Sequence, residues 1–566
     1  MFDIVIRGGT VIDGTGGPAR TADVAIVGNR IVEVGTAEVG TVEGRGAQEI
    51  DATGAIVTPG FVDVHTHYDG QATWDTRMQP SSGHGVTTVV AGNCGVGFAP
   101  VRVADRSMLV ELMEGVEDLP GVVLHEGLLW EWESIGDYLD ALDRRSYDID
   151  IAAQVCHAPV RVYVMGERGA NREVATPDEV AEMGRIAAAG IRAGALGFTT
   201  SRTLNHRTSK GQPTPTLTAA CDELVGIARA IGETGQGVLQ VVSDFTEAGE
   251  GETLLEMMRA SGRPLSFSLL QTAPGPGYRR KLELLERANA EGLSMRAQVA
   301  ARAVGLLVGL QGTVNPLARC PQYQAVADLP LNEIARVLSQ PERRALLIEE
   351  ARSAGGIPLE KVFVLDERPD YEPTSNDSVA ARAARMGVDA VAFHVDQLLA
   401  DEGRALLYVP FLNYNDHSLD AAREMLAHEF TIPGLGDGGA HVGTICDASF
   451  PTSLLTHWGR DRTRGPLLNL AFLIQRQCRS TAQAVGLLDR GLLASGYKAD
   501  LNIIDFDGLS LSRPHMVHDL PAGGKRLMQE ATGYLHTIVS GVETYVNGEA
   551  TGTLPGRLVR GQQSPS

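Results

Sequence analysis

The sequence predicts an α/β protein with a (β/α)8 TIM-like barrel at its centre and a small β domain formed from its two ends. Three observations lead there. Strand-like and helix-like runs alternate through the middle of the chain. Strand-like runs alone occupy both ends. One apolar strand stops at two histidines a single residue apart, His65 and His67. Repeated strand-then-helix units build parallel sheets, and eight of them can close on themselves.

The composition bounds the function. The chain has 566 residues, 43% apolar and 21% charged, which is ordinary for a globular protein. A formal net charge of −21 gains nothing from phosphate attraction and is repelled by anionic lipid, so neither nucleic acid nor a membrane is an expected partner. No apolar run approaches the ~20 residues of a spanning helix, and no leader pattern opens the chain. The six cysteines are scattered without CxxC spacing, which argues against a disulfide scaffold and for a reducing, cytoplasmic setting. The sequence leaves a homo-oligomer open.

At the N-terminus, residues 4–7, 24–27 and 31–34 read as strands separated by Gly and Asn turns. At the C-terminus, residues 499–506, 537–540 and 543–546 do the same, with Asn547-Gly548 as a hairpin turn. Between them, strands are expected at 61–66, 87–91, 151–155, 196–200, 237–242, 265–270, 293–299 and 432–435. Helices are expected at 178–191, 222–231, 253–260, 280–290 and 420–430, the first capped by Thr176 with Pro177 in its opening turn. The expected domains are 1–58 and 488–566 for the two parts of the β domain, and 59–487 for the barrel. Two long stretches interrupt the alternation. Residues 96–147 contain a helix near 138–142, and 305–412 form an insertion or cap near the barrel mouth.

Chemistry concentrates in VTPGFVDVHTHYD, residues 57–69. Strand side chains alternate faces, so His65 and His67 point the same way. Two such imidazoles at the C-terminal end of a barrel strand suit zinc or a similar divalent metal. Cys94 ends the run TTVVAGNC, in a turn where a metal would hold it as thiolate; otherwise it is a small buried hydrophobe. Asp437 follows the last strand in GDGG, as a ligand and proton acceptor or as a turn former.

The opening VIRGGTVIDGTG, the PGFVDVHTH segment, NCG at 93–95 and GDGGAH at 436–441 resemble the amidohydrolase superfamily, and within it the D-aminoacylase branch, over nearly the whole chain. The resemblance implies a barrel plus a β-sandwich made from both termini. It implies a divalent metal, zinc foremost, held by His65, His67, Cys94 and Asp437, with Asp437 also taking the proton of the attacking water. The implied substrate is a small-molecule amide of the N-acyl-D-amino-acid type. A cyclic amide or imide hydrolase, a deaminase, or a metal-poor binding homologue are the alternatives.

The chain departs from the branch at two strands. The histidines expected at the ends of the fifth and sixth strands are absent, their positions falling near Val241 and Leu269, and the branch's sixth-strand lysine falls near Gln271. No lysine ends the fourth strand, so a bridging carboxylated lysine is not expected. His157, His206, His417 and His441 are candidates to complete the ligand set, or are histidines outside it. Arg202, Arg207 and Arg296, with Gln271, are the candidates to hold a substrate anion; a salt bridge is the plain alternative for the arginines.

Overall fold

The computed structural model describes residues 1–36 and 40–565. Of the terminal polar stretch 562–566, Ser566 lies outside the described residues.

All eight central strands form. They run Phe61–Asp63, Val86–Ala91, Asp150–Ala153, Gly197–Arg202, Val238–Ser243, Leu265–Leu269, Met295–Val299 and Thr431–Pro433, and are called first to eighth below. Every pairing between successive strands is parallel. The third strand breaks at Gln154 and resumes as Val155–Cys156, which pairs with the fourth. A parallel bridge between Thr66 and Gly438 then joins the first strand to the segment after the eighth. The runs are short and rich in β-branched and aromatic residues, and nearly every residue in them is buried, as strands covered on both faces require.

The intervening helices are amphipathic and lie where periodicity placed them: Pro177–Ala193, Cys221–Gly232, Glu250–Ser261, Arg279–Ala290 and Asp420–Ala427. Thr176 and Glu179 form a reciprocal capping box at the first of these. The stretch 96–147 holds Ile135–Asp143, the expected helix, and two more that periodicity had not marked, Arg106–Glu117 and Gly121–Gly127.

Both termini enter one nine-stranded sheet. Its interior order is Tyr534–Val539, Leu501–Ile504, Ile56–Pro59, Phe2–Val11, Arg20–Val27, and Asn547-Gly548, both at positive φ, make the hairpin turn after Val542–Val546. The 305–412 stretch carries its own three-stranded sheet, Val304–Val308, Leu407–Leu412 and Phe363–Val364, over a separate apolar cluster. It docks at the C-terminal side of the central strands, through Leu307 N–H to Thr444 O at 2.7 Å and Asn413 N–H to Gln271 O at 3.0 Å.

A buried ionic knot ties the terminal sheet to the central strands. Arg490 donates to Asp150 Oδ2 and Thr88 Oγ1, both at 2.8 Å, and pairs with Asp489 at 2.9 Å. Lys498 bridges Asp150 and Asp500 at 2.8 and 2.9 Å. Breaking one partner of such a pair leaves an uncompensated buried charge. Arg490→Ala should therefore lower stability by about 3–5 kcal/mol, read as a fall in the urea midpoint.

Candidate metal centre

The first strand delivers His65 and His67 to one face, both almost fully buried. Main-chain bonds fix them against the turn after the eighth strand: His67 N–H donates to Gly438 O at 2.8 Å, and Asp437 N–H donates to His65 O at 3.1 Å. Asp437 sits in the left-handed region at φ 47°, a conformation Asp tolerates better than most side chains. Its Oδ1 lies 3.4 Å from His65 Nε2 and 3.6 Å from His67 Nε2.

The NCG turn brings the fourth group. Asn93 Nδ2 donates to Thr66 O and Val90 O, and its own Oδ1 accepts from Gln154 Nε2. That fixed turn puts Cys94 at φ 57°. Gly95 is required because a Cβ there would fall 2.8 Å from Thr200 Cα. Cys94 Sγ lies 3.4 Å from His65 Nε2 and 3.8 Å from His67 Nε2. The donor atoms of His65, His67 and Cys94 all fall within 4.8 Å of one another.

The far sides of both imidazoles are occupied. His65 Nδ1 meets Gln298 Oε1 at 2.5 Å. Since an amide oxygen only accepts, the proton is on Nδ1 and the Nε2 lone pair faces Cys94 and Asp437. His67 Nδ1 lies 3.2 Å from Glu117 Oε1, a carboxylate 1% exposed. A second carboxylate, Asp63, accepts from His65 N–H at 3.1 Å, and burial pushes its carboxyl up to about 7.

Burial makes charge costly throughout the cluster. Burial drives the Cys94 thiol up to about 12 and the His65 imidazolium down to about 4. Burial also opposes ionisation of Asp437, yet the neighbouring His67 and His65 imidazoles hold its carboxyl well below the usual range. Two imidazole nitrogens and one sulfur clustered together, with a carboxylate oxygen beside both nitrogens, are a donor set that suits zinc or a similar divalent ion.

Residues 48–549 match the model of the Amidohydrolase family. The chain belongs to that family. It is a metal-dependent hydrolase of amide C–N bonds. The chain is 34% identical to the N-acyl-D-aspartate deacylase of Alcaligenes xylosoxydans xylosoxydans over 506 residues, covering 89% of this chain and 86% of that one. It is 26% identical to the D-aminoacylase of the same organism over 574 residues, covering 99% and 97%. Its fold matches the crystal structure of the N-acyl-D-glutamate deacylase from Bordetella bronchiseptica, complexed with zinc and a phosphonate inhibitor, at a TM-score of 0.65 and 24% identity over 99% of each chain.

Within this amidohydrolase the remaining candidates divide. His441 Nε2 lies 3.7 Å from Glu117 Oε2, beside the cluster. His206 Nδ1 is hydrogen-bonded to Ser201 Oγ at 2.7 Å; burial and then the neighbouring His441 and His67 drive its imidazolium down to about 3. His157 is committed elsewhere: Nδ1 bonds Thr200 Oγ1 at 2.8 Å, and Nε2 lies 3.0 Å from Glu223. His417 packs edge-on against Tyr414 and is not brought to the cluster.

The anion candidates have partners of their own. Arg202 pairs with Glu250 at 2.7 Å and caps Ala219 O. Arg207 bonds Gly211 O in an exposed hairpin. Arg296 enters at the N-terminal end of the seventh strand, opposite the mouth, bonding Asn289 and stacking on Phe430. Gln271 spends its amide on Asp416 and Gly275, tying the sixth strand to the returning insertion.

The positions of the missing histidines shift by one residue. Gln240 pairs with Ser266, whose hydroxyl accepts from Gln298, which in turn reaches His65. By strand alternation Gln240, Val242, Ser266 and Ser268 face the site, while Val241 and Leu269 face away. Glu117 and Gln298 were missed in the sequence. Glu117 left one trace: it continues the buried stripe of Leu109, Met113 and Val116 on its helix, where a carboxylate is out of place.

Because Arg202 neutralises the nearly buried Glu250, Arg202→Met should lower stability by about 3–5 kcal/mol. KM should stay within about twofold of wild type, since no uniform substrate binding is lost. A large rise in KM without loss of stability would return Arg202 to the substrate.

Proposed function

We propose that this amidohydrolase is an N-acyl-D-amino-acid deacylase whose site binds one zinc ion through His65, His67, Cys94 and Asp437. The approach of both Nε2 atoms to the Cys94 sulfur and to Asp437 Oδ1 carries the reading. When bound, such a cation acidifies water toward a pKa of ~7 and polarises a carbonyl oxygen. Asp437 Oδ1, ionised and held between two imidazoles, takes the water proton and returns it to the leaving nitrogen. Gln298 and Glu117 hold the imidazoles with their Nε2 lone pairs inward.

A single ion fits the inner lining. On the fifth and sixth strands the site-facing residues are Gln240, Val242, Ser266 and Ser268, and none offers the imidazole that a second metal would need. We further read the eight strands as a barrel closed through the Thr66–Gly438 bridge, spanning 59–487. The parts 1–58 and 488–566 then form the sandwich.

Two outcomes test this. Purified protein should hold about one equivalent of zinc and lose activity on chelation, the site having no second ligand set. Asp437→Asn should retain much of that zinc through the other three ligands while kcat falls roughly 10²–10⁴-fold. A protein that never takes up zinc, or an Asn variant with near-normal turnover, overturns the assignment.

A third outcome concerns the substrate anion. Arg202 is paired with Glu250, Arg207 is bonded to Gly211 O and Arg296 lies at the opposite end of the strands, so a free α-carboxylate meets no unengaged guanidinium among them, and burying an unpaired charge is costly. The kcat/KM of an N-acyl-D-amino acid should then exceed that of its carboxamide by less than about tenfold, or fall below it. A strong preference for the free acid would reveal a cation from another element.

A further inference from the structure

We propose that Glu117, contributed by the 96–147 stretch rather than by a central strand, is a positioning residue that sets the two histidines flanking the reaction centre, His67 and His441. The inference rests on reading His65, His67 and Cys94 as metal ligands, and it adds a group that touches neither metal nor substrate.

Three contacts meet at this one residue. Glu117 Oε1 lies 3.2 Å from His67 Nδ1, on the ring edge opposite the nitrogen that faces Cys94 and Asp437. Oε2 lies 3.7 Å from His441 Nε2. Its main-chain carbonyl accepts from His441 N–H. His441 is itself in the left-handed region, at φ 50°, four residues after Asp437 in the same turn. Glu117 thus sets its carboxylate beside the ring of a ligand, both facing atoms buried without another partner, while its main-chain carbonyl holds the turn that carries the proton acceptor.

The carboxylate is held as firmly as it holds others. It ends the helix Arg106–Glu117, and the next residue, Asp118, turns the chain at φ 49°. Asp118 accepts from Thr313 Oγ1 and from Gly443 N–H, each at 3.2 Å, pinning the helix end to both the large insertion and the catalytic turn. Two residues before Glu117, Gly115 lies flat against the backbone of residues 207–209, where any Cβ would overlap. That hairpin also carries His206, and Lys210 pairs with Glu111 on the same helix at 2.7 Å. The helix end cannot slide without disturbing two other loops of the mouth.

The physical role follows from chemistry. A carboxylate beside Nδ1–H fixes the tautomer and ring orientation of a ligating histidine and makes Nε2 more basic. Gln298 performs the orienting half of this task for His65 but is neutral. The asymmetry makes His67 the stronger donor of the pair.

The test uses the full-length chain. Zinc affinity of the apoprotein is measured by competition with a chromophoric chelator for wild type, Glu117→Gln and Glu117→Asp, alongside circular dichroism and urea unfolding of the apo forms. Glu117→Gln should weaken zinc binding roughly 10–100-fold at unchanged apo stability, with Glu117→Asp in between. Wild-type affinity in Glu117→Gln overturns the inference, and so does a loss of affinity matched by collapse of the apo fold. Should the variants fail to fold, the crystal structure of zinc-loaded wild type decides. It should show Glu117 hydrogen-bonded to His67 Nδ1 and outside the ~2.0–2.2 Å reach of a carboxylate ligand. A Glu117 that coordinates the ion, or that has swung away, overturns it. Wild type that binds no zinc at all would instead sink the metal-site reading itself.

Discussion

The site depends on a short main-chain clasp. His67 N–H to Gly438 O and Asp437 N–H to His65 O lock the end of the first strand against the turn after the eighth. These two bonds bring groups from distant parts of the sequence within 3.4 to 3.6 Å. Each side chain then needs only its local geometry: strand alternation aligns the two histidines, and a left-handed residue aims Asp437. The other half of the constraint is the NCG turn, where Asn93 is spent on two backbone carbonyls and the Gln154 side chain so that Cys94 can face inward. Buried groups that would be costly alone become a coherent receptor for one cation.

Much of this was legible in the sequence because it is local. The eight strands were marked by short apolar runs, the Pro177–Ala193 helix by its capping box, and the first-strand ligands by HxH after a buried strand. What was not legible depends on partners far along the chain. Strand parity at the fifth and sixth strands needed a reference, supplied only by the path from Gln240 through Ser266 and Gln298 to His65. The arginines illustrate the same limit. Their type suits anion binding, but Glu250, Gly211 and Asn289 reach them first. Inside residues 305–412 the small sheet and its apolar cluster have a logic separate from the central strands, and alternation in the sequence did not disclose it.

The insertions are more than decoration on a scaffold. The first supplies the buried carboxylate at His67, and the second is fastened at Gln271, Thr313 and Leu307. Gln271, examined for substrate binding, is a fastener: its backbone exchanges hydrogen bonds with Asn413, and its side chain holds Asp416. The mouth is therefore walled by segments pinned through backbone groups. Rigid mounting of this kind suits a centre whose ligands must converge on a single point.

The terminal sheet has a consequence for biosynthesis. Phe2–Val11 and Ile56–Pro59 leave the ribosome long before residue 501, but Ile56–Pro59 finds its outer neighbour only in Leu501–Ile504. At ~5–20 residues per second, that apolar edge waits some tens of seconds for its partner while the whole central region is made. An unpaired edge is a template for pairing with another chain. The nascent protein must therefore shield this strand during synthesis, and chains that terminate before Leu501 keep it exposed.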